Sequence, residues 1–63
     1  PKKIRELKTL LKQAGFVQRS GRGSHTVWSH PDLSLKIVLS GKDGDDAKPY
    51  QEKDVHAALR KLE

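Results

Sequence analysis

Apolar residues recur near the start of the chain at the spacing of one helix face. The residues three or four positions apart are Ile4, Leu7, Leu11 and Ala14. Leu10 widens this stripe, and lysines occupy the opposite side. Gly15 follows at the position where helices commonly end. The pattern therefore predicts an amphipathic helix that stops at Gly15.

The middle of the chain has the pattern of short strands separated by turns. Residues 16–20 are β-prone, and the basic turn Gly21-Arg22-Gly23 predicts that they form an antiparallel hairpin with residues 24–30. Pro31-Asp32 ends the second strand. In residues 33–39, Leu or Ile alternates with Ser, Lys or Val. This period of two predicts a third strand with one buried face.

A polar segment separates the third strand from a second apolar stripe. Residues 40–46 have no apolar anchor and predict an exposed, mobile loop. Their aspartates and glycines do not have the spacing of an EF-hand, so a solvated loop is favoured over a calcium site. After Pro49, the residues of the second helical stripe are Val55, Ala58, Leu59 and Leu62. Acidic residues near its start and basic residues near its end suit the helix dipole.

The predicted order of elements is α-β-β-β-α in a single domain, residues 1–63. This is an α+β fold in which both helices cover one face of a three-stranded antiparallel sheet. The residues expected to be buried together are Leu7, Leu11, Leu35, Ile37, Val55 and Leu59. The other sheet face is left open to water or to a ligand, and a core this small would gain stability from a partner.

Composition excludes several classes of protein. The chain has no cysteine, so neither a disulfide framework nor a thiolate metal site holds the fold, and the cytoplasm is the expected compartment. No segment approaches the roughly 18 apolar residues of a membrane span, and none resembles a signal peptide. We therefore expect no membrane association.

The net charge of +5 is unevenly distributed. Residues 1–42 contain nine basic and two acidic residues, whereas residues 43–63 contain four basic and six acidic ones. A basic surface attracts polyanions, of which phosphate backbones are the commonest. The lysines of the first helix are equally well interpreted as an ordinary solvated face. Arg19 and Arg22, beside the glycine turn, are better candidates for specific contacts.

The segment from Gly21 to Pro31 concentrates the titratable chemistry of the chain. His25 follows the basic turn and is suited to meet a phosphate, although on residues alone a histidine that satisfies a nearby backbone group is the favoured interpretation. Ser24 and His25 are neighbours on a strand and point to opposite faces, which argues against a serine hydrolase. His25 and His30 lack a third converging donor for a metal. His30 is interpreted as structural or surface, and Trp28 as core.

Several of these features occur together in a known family. An Ala-Gly-Phe helix end at residues 14–16 is followed by the basic glycine turn, by Gly23-Ser24-His25, by Val27-Trp28 and by residues 29–31, Ser-His-Pro. Over residues 4–39 the chain resembles the HicA (YcfA-like) family of small toxin ribonucleases. The last helix fits in position and apolar pattern.

The resemblance implies both a fold and an activity. It implies a fold similar to a double-stranded-RNA-binding domain, and an mRNA interferase that cleaves mRNA without a metal or cofactor. It also implies a cognate HicB-like antitoxin that holds the toxin inactive. The catalytic histidine of the family falls on His25. Residues 40–46 depart from the family pattern, because an acidic loop replaces a basic edge before the last helix.

The implied chemistry suits the residues present. Imidazole can take the proton of a 2′-hydroxyl as that oxygen attacks the adjacent phosphate, so His25 is the predicted base. The predicted RNA-binding residues are Arg19, Arg22, Gly23, Ser24 and Lys36. No general acid is assigned, and His25 acting in both roles through water stays open. Two alternatives also stay open: a non-catalytic RNA-binding module, and a protein-interaction domain that uses the open sheet face or the acidic loop.

Overall fold

A computed structural model describes residues 1–63, apart from the side chain of Ser20. The elements in chain order are α1 (Ile4–Gln13), β1 (Val17–Ser20), β2 (Thr26–Ser29), β3 (Lys36–Leu39) and α2 (Pro49–Arg60). The strands form one antiparallel sheet in the order β1-β2-β3. The predicted α-β-β-β-α order is confirmed. Neither helix, within the part of the chain described, is long and apolar enough to cross a bilayer.

The third strand is shorter than the alternating pattern predicts. It begins at Lys36, which pairs with Ser29, rather than at Leu33. The backbone N–H of Leu33 instead donates to the carbonyl of His30 at 3.1 Å, so this residue belongs to the turn that follows β2. Leu33 and Leu35 are only partly buried, although both pack against the core. Leu35 therefore precedes β3, and the prediction that it lies within the third strand is wrong.

The core lies between one face of the sheet and the two helices. The sheet contributes Trp28, Ile37 and Leu39, all buried, and the predicted core position of Trp28 is confirmed. The buried apolar helix residues are Ile4, Leu7 and Leu11 from α1, and Val55 and Ala58 from α2. Leu59 packs against this cluster but is only partly buried. The indole N–H of Trp28 donates to Thr26 Oγ1 at 2.9 Å, so the ring is buried without losing a hydrogen bond.

The opposite face of the sheet is open, as the sequence predicts. Val17 and Val38 are 55% and 53% exposed, which is unusual for valines within strands. Strand register places Arg19, Val27 and Val38 in one row across this face. We call this surface the outer face. It is the surface on which a ligand or partner can meet the sheet.

The segment between β3 and α2 is exposed but is not a free loop. Its backbone carbonyls accept hydrogen bonds from the first helical N–H groups of α1. Asp45 accepts from Ile4 at 2.9 Å, and Asp43 accepts from Arg5 at 3.1 Å. These N–H groups have no partner within their own helix, and no side-chain cap is present at Lys3. The predicted exposure is confirmed, and in addition the segment caps α1, which the sequence does not predict.

Two ion pairs add to this cap. Lys8 contacts the Asp43 carboxylate at 2.6 Å, and Lys3 contacts that of Asp46 at 2.5 Å. The acidic residues of this segment are therefore used within the fold. The two ion pairs partly neutralise the charges of Lys3 and Lys8, which belong to the basic residues 1–42.

A buried glutamine joins the start of α2 to the end of β3. Gln51 is 2% exposed. Its Nε2 donates to the carbonyl of Ser40 at 3.0 Å and to Ser40 Oγ at 3.2 Å, and its Oε1 accepts from the backbone N–H of Lys48 at 2.8 Å. All polar atoms of this side chain are satisfied, which a buried amide requires. The apolar patterns give no sign of this contact.

Candidate functional site

The turn between β1 and β2 is closed by two backbone hydrogen bonds. The N–H of Gly21 donates to the carbonyl of His25, and the N–H of His25 donates to the carbonyl of Arg22, both at 3.0 Å. Gly23 lies in the left-handed region with φ +60°, where glycine is favoured. The predicted hairpin is confirmed, and it holds the His25 backbone on two sides. The prediction that Ser24 and His25 lie on the second strand is wrong, because β2 begins at Thr26 and both residues belong to the turn.

Residue 21 must be a glycine because its Cα lies very close to the backbone of His25, and not because its φ angle is unusual. A Cβ built at this residue would lie 2.8 Å from the carbonyl oxygen of His25 and 3.2 Å from its carbonyl carbon and its Cβ. By contrast, a Cβ at Gly23 would meet no atom within 4 Å. The sequence identifies both glycines as turn residues but gives no sign of the contact between Gly21 and His25.

The His25 side chain is exposed and is hydrogen-bonded through one ring nitrogen. Its Nδ1 lies 3.0 Å from the carbonyl oxygen of Arg22. A carbonyl only accepts, so Nδ1 carries the proton and donates. In the neutral ring this leaves the lone pair on Nε2. In its neutral form, the His25 ring can therefore accept a proton at Nε2.

The predicted cationic residues divide into near and distant groups. Arg22 lies in the same turn as His25, and Arg19 pairs with Val27, two residues after His25. Lys36 pairs with Ser29, which lies four residues after His25 along β2 and therefore about 13 Å away. All three side chains are exposed, as is Ser24. Arg22 and Ser24 are thus neighbours of His25 along the turn, Arg19 lies on the adjacent strand, and Lys36 lies at the far end of the outer face.

His30 is held in a different environment. Its Nε2 donates to the carbonyl of Ala14 at 3.1 Å, and its Nδ1 accepts from the backbone N–H of Asp32 at 3.0 Å. Its ring meets that of Phe16 edge to face, with centroids 5.1 Å apart. Both ring nitrogens are occupied, so His30 has the structural role that the sequence predicts.

Two grooves of the surface lie away from His25. One of about 780 Å³ follows α2 and is lined by Lys53, His56 and Arg60 among others. Another of about 390 Å³ follows α1 and includes Arg5 and Thr9. Within the described residues, no three His, Cys, Asp or Glu side chains are placed to hold a metal ion together. His25 stands on an exposed turn, where a polymer can lie across the surface.

One comparison with known proteins gives a family. The family model described as "HicA toxin of bacterial toxin-antitoxin" matches residues 4–63. The match includes both helices, all three strands and the turn that holds His25. Comparisons with curated proteins and with solved structures give no match.

Proposed function

The chain belongs to the HicA toxin family of bacterial toxin-antitoxin systems, and on this premise we propose that it is an endoribonuclease that cleaves mRNA without a metal ion. His25 is its catalytic base. The observation that supports this role is the hydrogen bond from His25 Nδ1 to the Arg22 carbonyl, which leaves the lone pair on Nε2 of an exposed ring. A base needs such a lone pair within reach of the proton it removes.

The proposed reaction uses the RNA's own 2′-hydroxyl as nucleophile. Nε2 of His25 takes the 2′-hydroxyl proton while the 2′-oxygen forms a bond to the adjacent phosphorus. The bond from phosphorus to the 5′-oxygen breaks, and that oxygen takes a proton from water that exchanges with protonated His25. The products are a 2′,3′-cyclic phosphate and a free 5′-hydroxyl. Imidazole suits both transfers because its ordinary pKa lies near neutrality.

Positive charge around His25 supports the same reaction. Arg19 and Arg22 lie in or beside the turn, where their guanidinium groups can stabilise the charge that builds on the phosphate. Gly23 offers a backbone that a phosphate can approach, and Ser24 offers a hydroxyl. Lys36 is too distant for the same phosphate, so we assign it to another phosphate of a strand that crosses the outer face.

The proposed partners are mRNA and a HicB-like antitoxin. Family membership supports an antitoxin partner. The exposed Val17 and Val38 beside the basic residues of the outer face also suit a protein surface, because valine side chains offer no ring on which a base can stack. An antitoxin seated there would cover the approach to His25.

Induced expression in bacteria tests the proposed function. We expect the natural chain to arrest growth and to degrade mRNA. His25→Ala should accumulate to the same level and do neither. His56→Ala is the matched control, because His56 is an exposed histidine of α2, and it should be as toxic as the natural chain. Growth arrest by His25→Ala at equal protein level would contradict the proposal.

A further inference from the structure

We infer that Gly21 is a positioning residue that holds His25 as the tautomer with its proton on Nδ1 and its lone pair on Nε2. The catalytic value of this tautomer rests on the proposed function, whereas the tautomer itself does not. Gly21 reaches the His25 ring only through the backbone of the turn. Gly21 contributes by having no side chain where its Cα lies close to the His25 backbone.

The Arg22 carbonyl is the acceptor that selects the tautomer. It accepts from the backbone N–H of His25 and from Nδ1 of the same residue, both at 3.0 Å. The ring and the backbone of His25 are therefore both hydrogen-bonded to the Arg22 carbonyl oxygen. From the other side, the N–H of Gly21 donates to the carbonyl of His25 at 3.0 Å. The position of His25 relative to this oxygen thus depends on how closely Gly21 can approach.

A methyl group at residue 21 would disrupt this arrangement. At 2.8 Å from the His25 carbonyl oxygen, it would be closer than real Cβ atoms come. The opposing atoms belong to the His25 backbone and to its Cβ, so no side-chain rotation relieves the contact. His25 must move away from Gly21, and hydrogen bonds weaken steeply once distance and angle depart from their preferred ranges. Without the Nδ1 bond, the neutral ring can carry its proton on either nitrogen.

His30 provides an internal reference within the same chain. Its Nε2 donates to the Ala14 carbonyl while its Nδ1 accepts from Asp32, so its neutral ring has the opposite tautomer. His30 follows β2 at the end farther from Gly21. A substitution that acts only through the His25 turn should leave the His30 tautomer unchanged.

The test is a long-range ¹H–¹⁵N correlation spectrum of the imidazole rings, recorded at alkaline pH where the rings are neutral. In the natural chain, we expect His25 to show a protonated Nδ1 and an unprotonated Nε2, and His30 to show the reverse. Gly21→Ala should give His25 a mixture of tautomers without changing His30. Gly44→Ala is the matched control, because a Cβ there meets no atom within 4 Å, and it should leave both rings as they are.

Two results would overturn the inference. One is a His25 ring protonated on Nε2 in the natural chain, a measurement that needs no variant to fold. The other is a Gly21→Ala protein with an intact His30 signal and an unchanged His25 tautomer.

Cleavage of RNA by the same proteins separates this inference from the proposed function. Because only molecules with the proton on Nδ1 offer the lone pair of Nε2, a mixture of tautomers should lower kcat of Gly21→Ala in proportion to the fraction lost, by about two- to fivefold, with KM little changed. The expected tautomer in a natural chain that cleaves no RNA would refute the proposed function and leave the role of Gly21 intact. Full cleavage by a Gly21→Ala protein with mixed tautomers would refute the catalytic value assigned to Gly21.

Discussion

Two histidines of one hairpin have opposite chemical roles because their ring nitrogens meet different partners. His25 donates from Nδ1 and leaves Nε2 free for a substrate, whereas both nitrogens of His30 are used within the fold. The sequence predicts opposite faces for the two side chains from strand alternation, but β2 ends at Ser29 and begins at Thr26, so neither histidine lies within it. The sequence does not predict the tautomers, because the acceptors are backbone carbonyls whose positions depend on the folded turn and on the end of α1.

The contacts of His30 predict that His30→Ala destabilises the protein. The change removes hydrogen bonds to the Ala14 carbonyl and the Asp32 N–H, together with the edge contact to Phe16. We expect the free energy of unfolding to fall by about 1–3 kcal/mol. Urea unfolding measures this, and exposed His56→Ala should change stability by less than about 0.5 kcal/mol. Equal stability of the two variants would show that His30 has no structural role.

At the scale of elements, the segment between β3 and α2 shows what a local pattern cannot predict. Its composition correctly predicts exposure. Its attachment to α1 depends on helix N–H groups that lie 38 and 41 residues earlier in the chain. These groups donate to backbone carbonyls, which every residue has, so the side-chain pattern does not reveal the contact. The charges of Lys3, Lys8, Asp43 and Asp46 are visible in the sequence, but their pairing follows only from the packing of α1 beside this segment.

The ion pairs of this segment predict a dependence of stability on acid. The hydrogen bond and charge of Lys8 hold the pKa of Asp43 below its ordinary value of 3.8, and Lys3 does the same to the pKa of Asp46. A lowered pKa in the folded state means that the unfolded chain binds protons first as pH falls. The stabilisation is therefore present above pH 3.8 and is lost as pH falls through the lowered values.

Urea unfolding between about pH 6 and pH 2 measures this loss. The double variant Asp43→Asn, Asp46→Asn should lose less stability over this range than the natural chain does, and high salt should reduce the difference because both carboxylates are exposed. Asp32→Asn, a change at an exposed aspartate outside both ion pairs, should behave like the natural chain. The same acid dependence in the double variant would contradict a contribution of the two ion pairs to stability.

At the scale of the molecule, the periodicities were sufficient for the architecture because a small sheet must bury one face. The period of α1 and the alternation in β3 together determine which faces meet, and Leu7, Leu11, Ile37 and Val55 all enter the core. The fold then redistributes the charge. Lys3 and Lys8 pair with aspartates, whereas Arg19, Arg22 and Lys36 are exposed around the turn and the outer face. The His25 side of the sheet therefore carries positive charge that is available to a polyanion.

The most direct test of this account is cleavage of a defined single-stranded RNA by the purified chain in EDTA, beside His25→Ala and His56→Ala. We predict that the natural chain and His56→Ala leave 2′,3′-cyclic phosphate and 5′-hydroxyl ends, and that a 2′-deoxy substitution blocks cleavage at that position. His25→Ala should leave the RNA intact. Equal cleavage by His25→Ala, or cleavage that survives the 2′-deoxy substitution, would contradict the role of His25 as the base that activates the 2′-hydroxyl.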